Sequence, residues 1–176
     1  MSSKSLIVCG VVLILGLVGF LSWPRRYPTS LPTHVLSLIN RAETIHVFSL
    51  DPYTRDNMED RSLFNEHENS ATKFHGYTIY GSQKYTEESS KKHFRQAIID
   101  STPSIRIDPA ACFWPRHGVR FTAGSETLDL VICFQCHSMN IYSPSGDDSH
   151  LVTSGGKAVL NRMLKAEGIK VEPEQY

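Results

Sequence analysis

Two β-prone runs joined by a short glycine-containing connection constrain the fold of this chain more than any other feature. The runs are His117 to Thr122 and Thr127 to Tyr142, and Ala123-Gly124-Ser125-Glu126 joins them. Runs rich in β-branched and aromatic residues on both sides of such a connection are typical of a β-hairpin. The hairpin is expected to place the two flanking threonines opposite each other.

This register predicts which residues of the two arms are neighbours. Cys112 is expected opposite His137 and beside Cys136, and His117 is expected beside Cys133 on the partner arm. Side chains alternate along a strand, so Cys133 and Cys136 point to opposite faces unless a bulge or bend intervenes. With such an irregularity, the hairpin gathers cysteine and histidine side chains from distant parts of the chain.

Three kinds of chemistry fit these residues. Cys112, Cys133 and Cys136, with His117 or His137, would supply a Cys₃His set for zinc, and C-x-x-C is a common half of such sites. The string from Cys133 to His137 also matches the attachment motif of haem c, with a distal ligand drawn from the methionines Met58, Met139 and Met163. The third kind is thiol chemistry. It would be either redox work by the C-x-x-C thiols or a structural disulfide between Cys112 and Cys136.

A structural role for the cysteines is preferred over all three. The C-x-x-C string follows Leu128 to Ile132, a run typical of a buried strand, whereas haem attachment needs a turn or helix to present both thiols. The zinc set lacks a second C-x-x-C, and no helix pattern follows Cys136 to activate a thiol. Buried cysteines pack well as small hydrophobes. We therefore predict a binding or structural module, with a zinc protein or a haem redox protein as the alternative.

The segment Pro115-Arg116-His117-Gly118 is a rigid, polar interruption of the first arm. Proline cannot donate to a sheet ladder, and glycine often marks a bulge. In a functional interpretation Arg116 binds an anion and His117 serves as acid, base or ligand. In a structural interpretation, which is preferred, both satisfy backbone carbonyls. The sequence holds no hydrolase or nucleotide-binding pattern, so no catalytic residue is assigned.

The hairpin resembles a group of small uncharacterised bacterial proteins. The resemblance rests on Cys112-Phe113-x-Pro115-Arg116-His117-Gly118 and on Ile132-Cys133-Phe134-x-Cys136. It extends to the preceding strand and helix and to the final helix with Leu160-Asn161-x-x-Leu164. The resemblance implies a shared hairpin core and a shared cysteine and histidine site, without an activity that can be transferred.

An apolar segment from Leu6 to Trp23 is uncharged over about 18 residues, which nearly spans a hydrocarbon core of ~30 Å. It ends in large residues, so an uncleaved membrane anchor is predicted in preference to a signal peptide. Lys4 on one side and two arginines on the other give little charge asymmetry. We predict a single-pass membrane protein whose domain lies outside the cytoplasm, and a tethered cytoplasmic domain is the alternative.

Charge says little about partners. The 18 basic and 18 acidic side chains cancel and form no long block of one sign, which excludes a nucleic-acid arm. The charge pattern does not indicate a particular protein partner. The chain of 176 residues suffices for one domain. We divide it into an anchor at 1–23, a stalk at 24–32 and a single domain at 33–176.

Helices and strands mix along the domain. Apolar spacing predicts helices after Ser30, after Thr86 and over Lys157 to Glu167, and strands at Thr44 to Leu50 and Phe74 to Tyr80. The regular alternation of a parallel sheet is missing from this order. The predicted fold class is therefore α+β, an N-terminal transmembrane helix followed by a mostly antiparallel sheet of about four strands packed with two or three helices.

Overall fold

A computed structural model describes residues 29–53, 72–102, 104 and 108–174 of the chain. Across these ranges the helices are α1 (Thr33–Arg41), α2 (Glu88–Ser101) and α3 (Lys157–Ala166), and a 3-10 turn (Ser154–Gly156) precedes α3. The strands are β1 (Thr44–Leu50), β2 (Lys73–Phe74), β3 (Tyr77–Tyr85), β4 (His117–Ala123), β5 (Glu126–Cys133), β6 (Ser138–Ser143) and β7 (Gly146–Leu151). They form one antiparallel sheet in the order β2-β3-β1-β4-β5-β6-β7, curved into a half-barrel.

The predicted sheet of about four strands is wrong, because the described residues form seven. The run from Thr127 to Tyr142, expected to be one arm, is broken at residues 134–137 into β5 and β6. β7 has the polar sequence GDDSHL and is mostly exposed, but its backbone pairs with β6 from Ser143↔Gly146 onward. A strand held by its backbone at a sheet edge shows little side-chain pattern.

The membrane prediction also needs correction. The segment Leu6 to Trp23 lies outside the described residues. Within the described ranges, no helix combines the length and the apolar character needed to cross a bilayer. The described residues thus give no support to the predicted transmembrane helix, to a single-pass membrane protein or to a domain outside the cytoplasm. The end of the predicted stalk is tied to the domain, since the Ser30 N–H donates to the Thr102 carbonyl (2.7 Å).

β1 has the bounds that its sequence predicted, and it carries apolar residues on both faces. Ile45 and Val47 belong to the main core, together with the buried stripe of α1 at Val35, Leu38 and Ile39. Phe48 and Leu50 belong to a smaller cluster on the opposite face. Residues of a strand alternate between faces, so β1 joins the two clusters through the sheet.

α2 and α3 cover the main core. Phe94 and Ile98 of α2 and Leu160 and Leu164 of α3 are fully buried there. Their spacing of four residues places each pair on one face of its helix. Gly168, with a φ of 71°, follows α3 as the predicted C-terminal cap.

The hairpin register is confirmed: β4 and β5 pair with Thr122↔Thr127 and His117↔Ile132. Gly118 forms no bulge and pairs regularly with both neighbouring strands. A Cβ atom at this position would lie 2.7 Å from the ring of Phe74. Gly118 therefore makes room for an aromatic side chain that crosses the sheet face.

Candidate functional site

A disulfide closes the turn between β5 and β6. Cys133 is the last residue of β5, and residues 134–137 form the turn. The disulfide joins Cys133 to Cys136, whose Cα atoms are 5.2 Å apart. The turn supplies the bend without which alternating side chains would point these two sulfurs to opposite faces.

Cys112 lies against this disulfide. Its Sγ atom is 3.4 Å from Sγ of Cys136, and the Ala110 N–H donates to the Cys136 carbonyl (3.0 Å). Among the described residues Cys112 is the free cysteine; it is partly exposed, whereas Cys133 and Cys136 are both 0% exposed. The three predicted cysteines do come together, but the bond joins Cys133 to Cys136 instead of Cys112 to Cys136. Cys112 is also not paired with His137, because β4 begins only at His117.

His137 ties the disulfide turn to the segment after β7. Its Nδ1–H donates to the Val152 carbonyl (3.2 Å), and the Val152 N–H donates to the His137 carbonyl (3.1 Å). Across the described ranges, no group of three or more His, Cys, Asp or Glu side chains could hold a metal ion. The predicted zinc and haem sites both need free thiols at Cys133 and Cys136, which the disulfide does not offer in this form.

His117, at the start of β4, is buried against α3. Its Nε2–H donates to Oδ1 of Asn161 (2.7 Å), and its ring meets the ring of Phe134 edge-on at 5.3 Å. Burial is the main reason that the pKa of His117 is lowered to about 4, and the hydrogen bond to Asn161 offsets part of this effect. His117 is therefore uncharged at neutral pH.

Arg116 is a buried cation, only 4% exposed. Its Nε donates to the Pro173 carbonyl (3.0 Å), and its Nη1 donates to the Trp114 carbonyl (3.1 Å) and to Oε1 of Gln135 (3.2 Å). Nη2 is buried and has no hydrogen-bond partner among the described residues. These partners are neutral, so within the described part of the chain the positive charge of Arg116 is solvated by dipoles alone and one donor is left over.

Arg116 and His117 line a cavity of about 320 Å³ between the hairpin base, α3 and the C-terminal segment. Trp114, Phe134 and Val171 give it apolar walls. The remaining lining residues are polar or proline: Gln135, Lys157, Asn161, Lys165, Glu172, Pro173 and Glu174. Residues separated by more than 50 positions thus meet around one space, which is the usual setting of a small-molecule site.

Several cavity residues were not expected from the sequence. Asn161 faces His117 from α3, and Pro173 reaches Arg116 from the segment after that helix. Neither residue type carries a signal of its own. Gln135 could have been noticed, because it lies inside the C-x-x-C string and a bend there would expose it.

A second polar group lies on the opposite face of the sheet. Arg120 donates to both oxygens of Asp129 (2.7 and 2.6 Å), and His75 contacts the same carboxylate (2.8 Å). The His75 ring also stacks on Tyr142, with ring centroids 3.7 Å apart. The hairpin register would have paired Arg120 with Asp129, and the structure shows that pair. His75, expected in a strand, lies instead in the turn between β2 and β3, with a φ of 49°.

Comparisons with known proteins assign no family to the chain: no family model, no curated protein and no solved structure matches it. The resemblance of the hairpin to small bacterial proteins therefore stays a prediction.

Proposed function

We propose that this domain is a binding module for a small ligand that carries an oxyanion, a carboxylate or a phosphate, in the cavity beside the cysteine hairpin. The observation that carries the proposal is Arg116, a buried cation that lines the cavity and whose Nη2 has no hydrogen-bond partner among the described residues. A buried cation without a counter-charge is costly. A planar guanidinium matches the paired oxygens of carboxylates and phosphates.

The other charges of the cavity favour the same ligand. Lys157 forms an ion pair with Glu174 (2.5 Å). Oε2 of Glu172 is buried and lies 2.7 Å from Nζ of Lys170, within ion-pair distance but without a well-aligned hydrogen bond among the described residues. Both lining carboxylates therefore already have cationic partners. Lys165, on the exposed side of α3, has no carboxylate partner among the described residues and adds a positive charge to the rim. The cavity thus keeps a surplus of positive charge, which attracts anions.

The walls suggest the rest of the ligand. Trp114, Phe134 and Val171 offer apolar surface next to Arg116, while His117 is uncharged at neutral pH and offers no second cation. A ligand with one anionic head and a compact apolar body would satisfy both features.

Calorimetric titration of the full chain with sodium phosphate and with sodium benzoate tests the proposal. Sodium chloride at the same ionic strength serves as the blank, because salt alone screens surface charges. Binding of at least one oxyanion below about 10 mM is expected, with an equivalent rise in thermal stability. Benzoate provides the apolar body that phosphate lacks, so the pair also reports on the walls.

Three variants locate the site. Arg116→Gln is expected to weaken binding at least tenfold, about 1.4 kcal/mol. Lys165→Gln lies on the exposed rim, is expected to fold normally, and should weaken binding about threefold. Lys92→Gln removes an exposed lysine of α2 that does not line the cavity and should leave binding unchanged. Equal affinities for all three variants, or no heat from either anion, would overturn the proposal.

A further inference from the structure

Three sulfur atoms lie close together at the base of the hairpin. Sγ of Cys112 is 3.4 Å from Sγ of Cys136, which is bonded to Sγ of Cys133. Thiol–disulfide exchange begins when a thiolate attacks one sulfur of a disulfide. Cys112 is a free thiol in contact with such a sulfur, so the two reacting groups are already side by side.

Cys112 is the most accessible of these three cysteines, because the other two are buried. Cys133 and Cys136 are both 0% exposed, so a thiol in solution cannot reach their disulfide without movement of the domain. Cys112 is partly exposed. The order from solvent inward is therefore Cys112, then the Cys133–Cys136 disulfide.

Backbone N–H groups stabilise the sulfurs that would exchange. The Cys136 N–H donates to Sγ of Cys133 (3.1 Å), and the Trp114 N–H donates to Sγ of Cys136 (3.4 Å). If the disulfide opens at Cys136, Cys133 leaves as a thiolate, and the N–H that already points at it stabilises the new negative charge. A better-stabilised leaving thiolate departs faster.

We infer that Cys112 exchanges with the Cys133–Cys136 disulfide within the folded domain, so that the crosslink alternates between two positions. The Cys112 thiolate attacks Sγ of Cys136; a bond between Cys112 and Cys136 forms, and the bond between Cys133 and Cys136 breaks. The electron pair of the broken bond stays on Cys133, which takes up the proton that Cys112 gave to solvent. One thiol and one disulfide are present before and after, so the step consumes no oxidant or reductant.

Exchange changes which segments of the chain the disulfide connects. In the Cys133–Cys136 form it closes one turn, and in the Cys112–Cys136 form it ties the segment 108–116 to that turn. The inference stands on the sulfur geometry and is independent of the proposed anion site.

Trapping the free thiol tests the inference. The full chain carries Cys9→Ser, which leaves three cysteines, and is incubated at about pH 8, where thiols begin to ionise. Acid then stops the exchange, guanidinium unfolds the chain, and excess N-ethylmaleimide at about pH 6 alkylates whichever thiol is free, including a thiol that was buried. Chymotrypsin cleaves after Phe134 to separate Cys133 from Cys136. Mass spectrometry is expected to find two products, one alkylated at Cys112 and one alkylated at Cys133. Maleimide confined to Cys112 would overturn the inference.

A matched pair of variants provides a second test. Cys133→Ser and Cys136→Ser, each with Cys9→Ser, both keep two cysteines and are reduced and then oxidised with oxidised glutathione. Cys133→Ser leaves the contacting pair Cys112 and Cys136, so its internal disulfide is expected to form about tenfold faster than that of Cys136→Ser. Equal rates, or glutathione adducts in place of the internal disulfide in both variants, would contradict the sulfur order.

Discussion

His117 stays uncharged in the folded domain over a pH range in which the same side chain is protonated in the unfolded chain. Burial lowers the pKa of this histidine from 6.5 to about 4. Between these pH values the unfolded chain binds a proton at His117 and the folded chain does not, so stability falls as the pH falls. This group alone is expected to remove roughly 3 kcal/mol from the free energy of unfolding between pH 6.5 and pH 4.

Urea denaturation at a series of pH values checks this prediction against His117→Gln. The glutamine amide can still donate to Asn161 but does not titrate, so the variant should lack this part of the acid destabilisation. His34→Gln removes an exposed histidine of α1 and should keep the full slope. A His117→Gln chain that loses stability with acid as steeply as the unsubstituted chain would show that another group controls the slope.

At the scale of elements, local patterns located most helices and strands but missed the break inside the second hairpin arm. Residues 134–137 contain no glycine or proline, so their sequence does not predict a turn. Tertiary bonds hold the turn instead: the disulfide, the Ala110 N–H to Cys136 carbonyl bond and the ties between His137 and Val152. These partners are distant in sequence or depend on the bend itself.

The contact between α2 and the 3-10 turn before α3 depends on one glycine. The Gly156 N–H donates to Oγ of Ser101 (2.8 Å), and a Cβ at Gly156 would lie 2.4 Å from the Ala97 carbonyl oxygen. Gly156→Ala must therefore push the turn away from the helix backbone, at an expected cost of about 2 kcal/mol.

The midpoint of urea denaturation measures the cost of Gly156→Ala. Ser154→Ala, on the exposed side of the same turn, is the matched control and should stay within about 0.5 kcal/mol of the unsubstituted chain. A neutral result for Gly156→Ala would mean that the turn and α2 are not packed this closely.

At the scale of the whole molecule, the sheet curls so that elements far apart in strand order meet. His75 lies between β2 and β3, yet it contacts Asp129 of β5 and Tyr142 of β6. In a flat sheet β3 and β6 would be about 19 Å apart, since neighbouring strands are ~4.8 Å apart. The contacts therefore require the half-barrel curvature, and the Asp129 carboxylate adds a link between the β2–β3 turn and β5 to the backbone pairing of β3 with β1.

Asp129→Asn tests whether the Asp129 carboxylate holds the β2–β3 turn against β5. The carboxylate is 7% exposed and accepts from Arg120, whose pKa is raised chiefly by that hydrogen bond. Asparagine keeps the volume but removes the charge, so a loss of about 2 kcal/mol in the free energy of unfolding is expected. Hydrogen exchange of the β2 and β3 amides should accelerate more than that of β4.

Asp147→Asn, on the exposed edge strand β7, is the control for Asp129→Asn and should alter neither measurement. Uniform acceleration of exchange across the sheet in Asp129→Asn would indicate a general loss of stability rather than release of the hairpin.

The sequence by itself determined the β4–β5 register, the bounds of β1 and the helical faces, because turn residues and apolar periodicity act over a few neighbouring positions. It also selected the three cysteines, Arg116 and His117. The tertiary structure decided which cysteines pair, how many strands the sheet holds and what surrounds Arg116. Those outcomes depend on Asn161, Pro173 and the turn at 134–137. Contacts between residues more than 40 positions apart produce no periodic pattern in the sequence, so the sequence alone does not predict them.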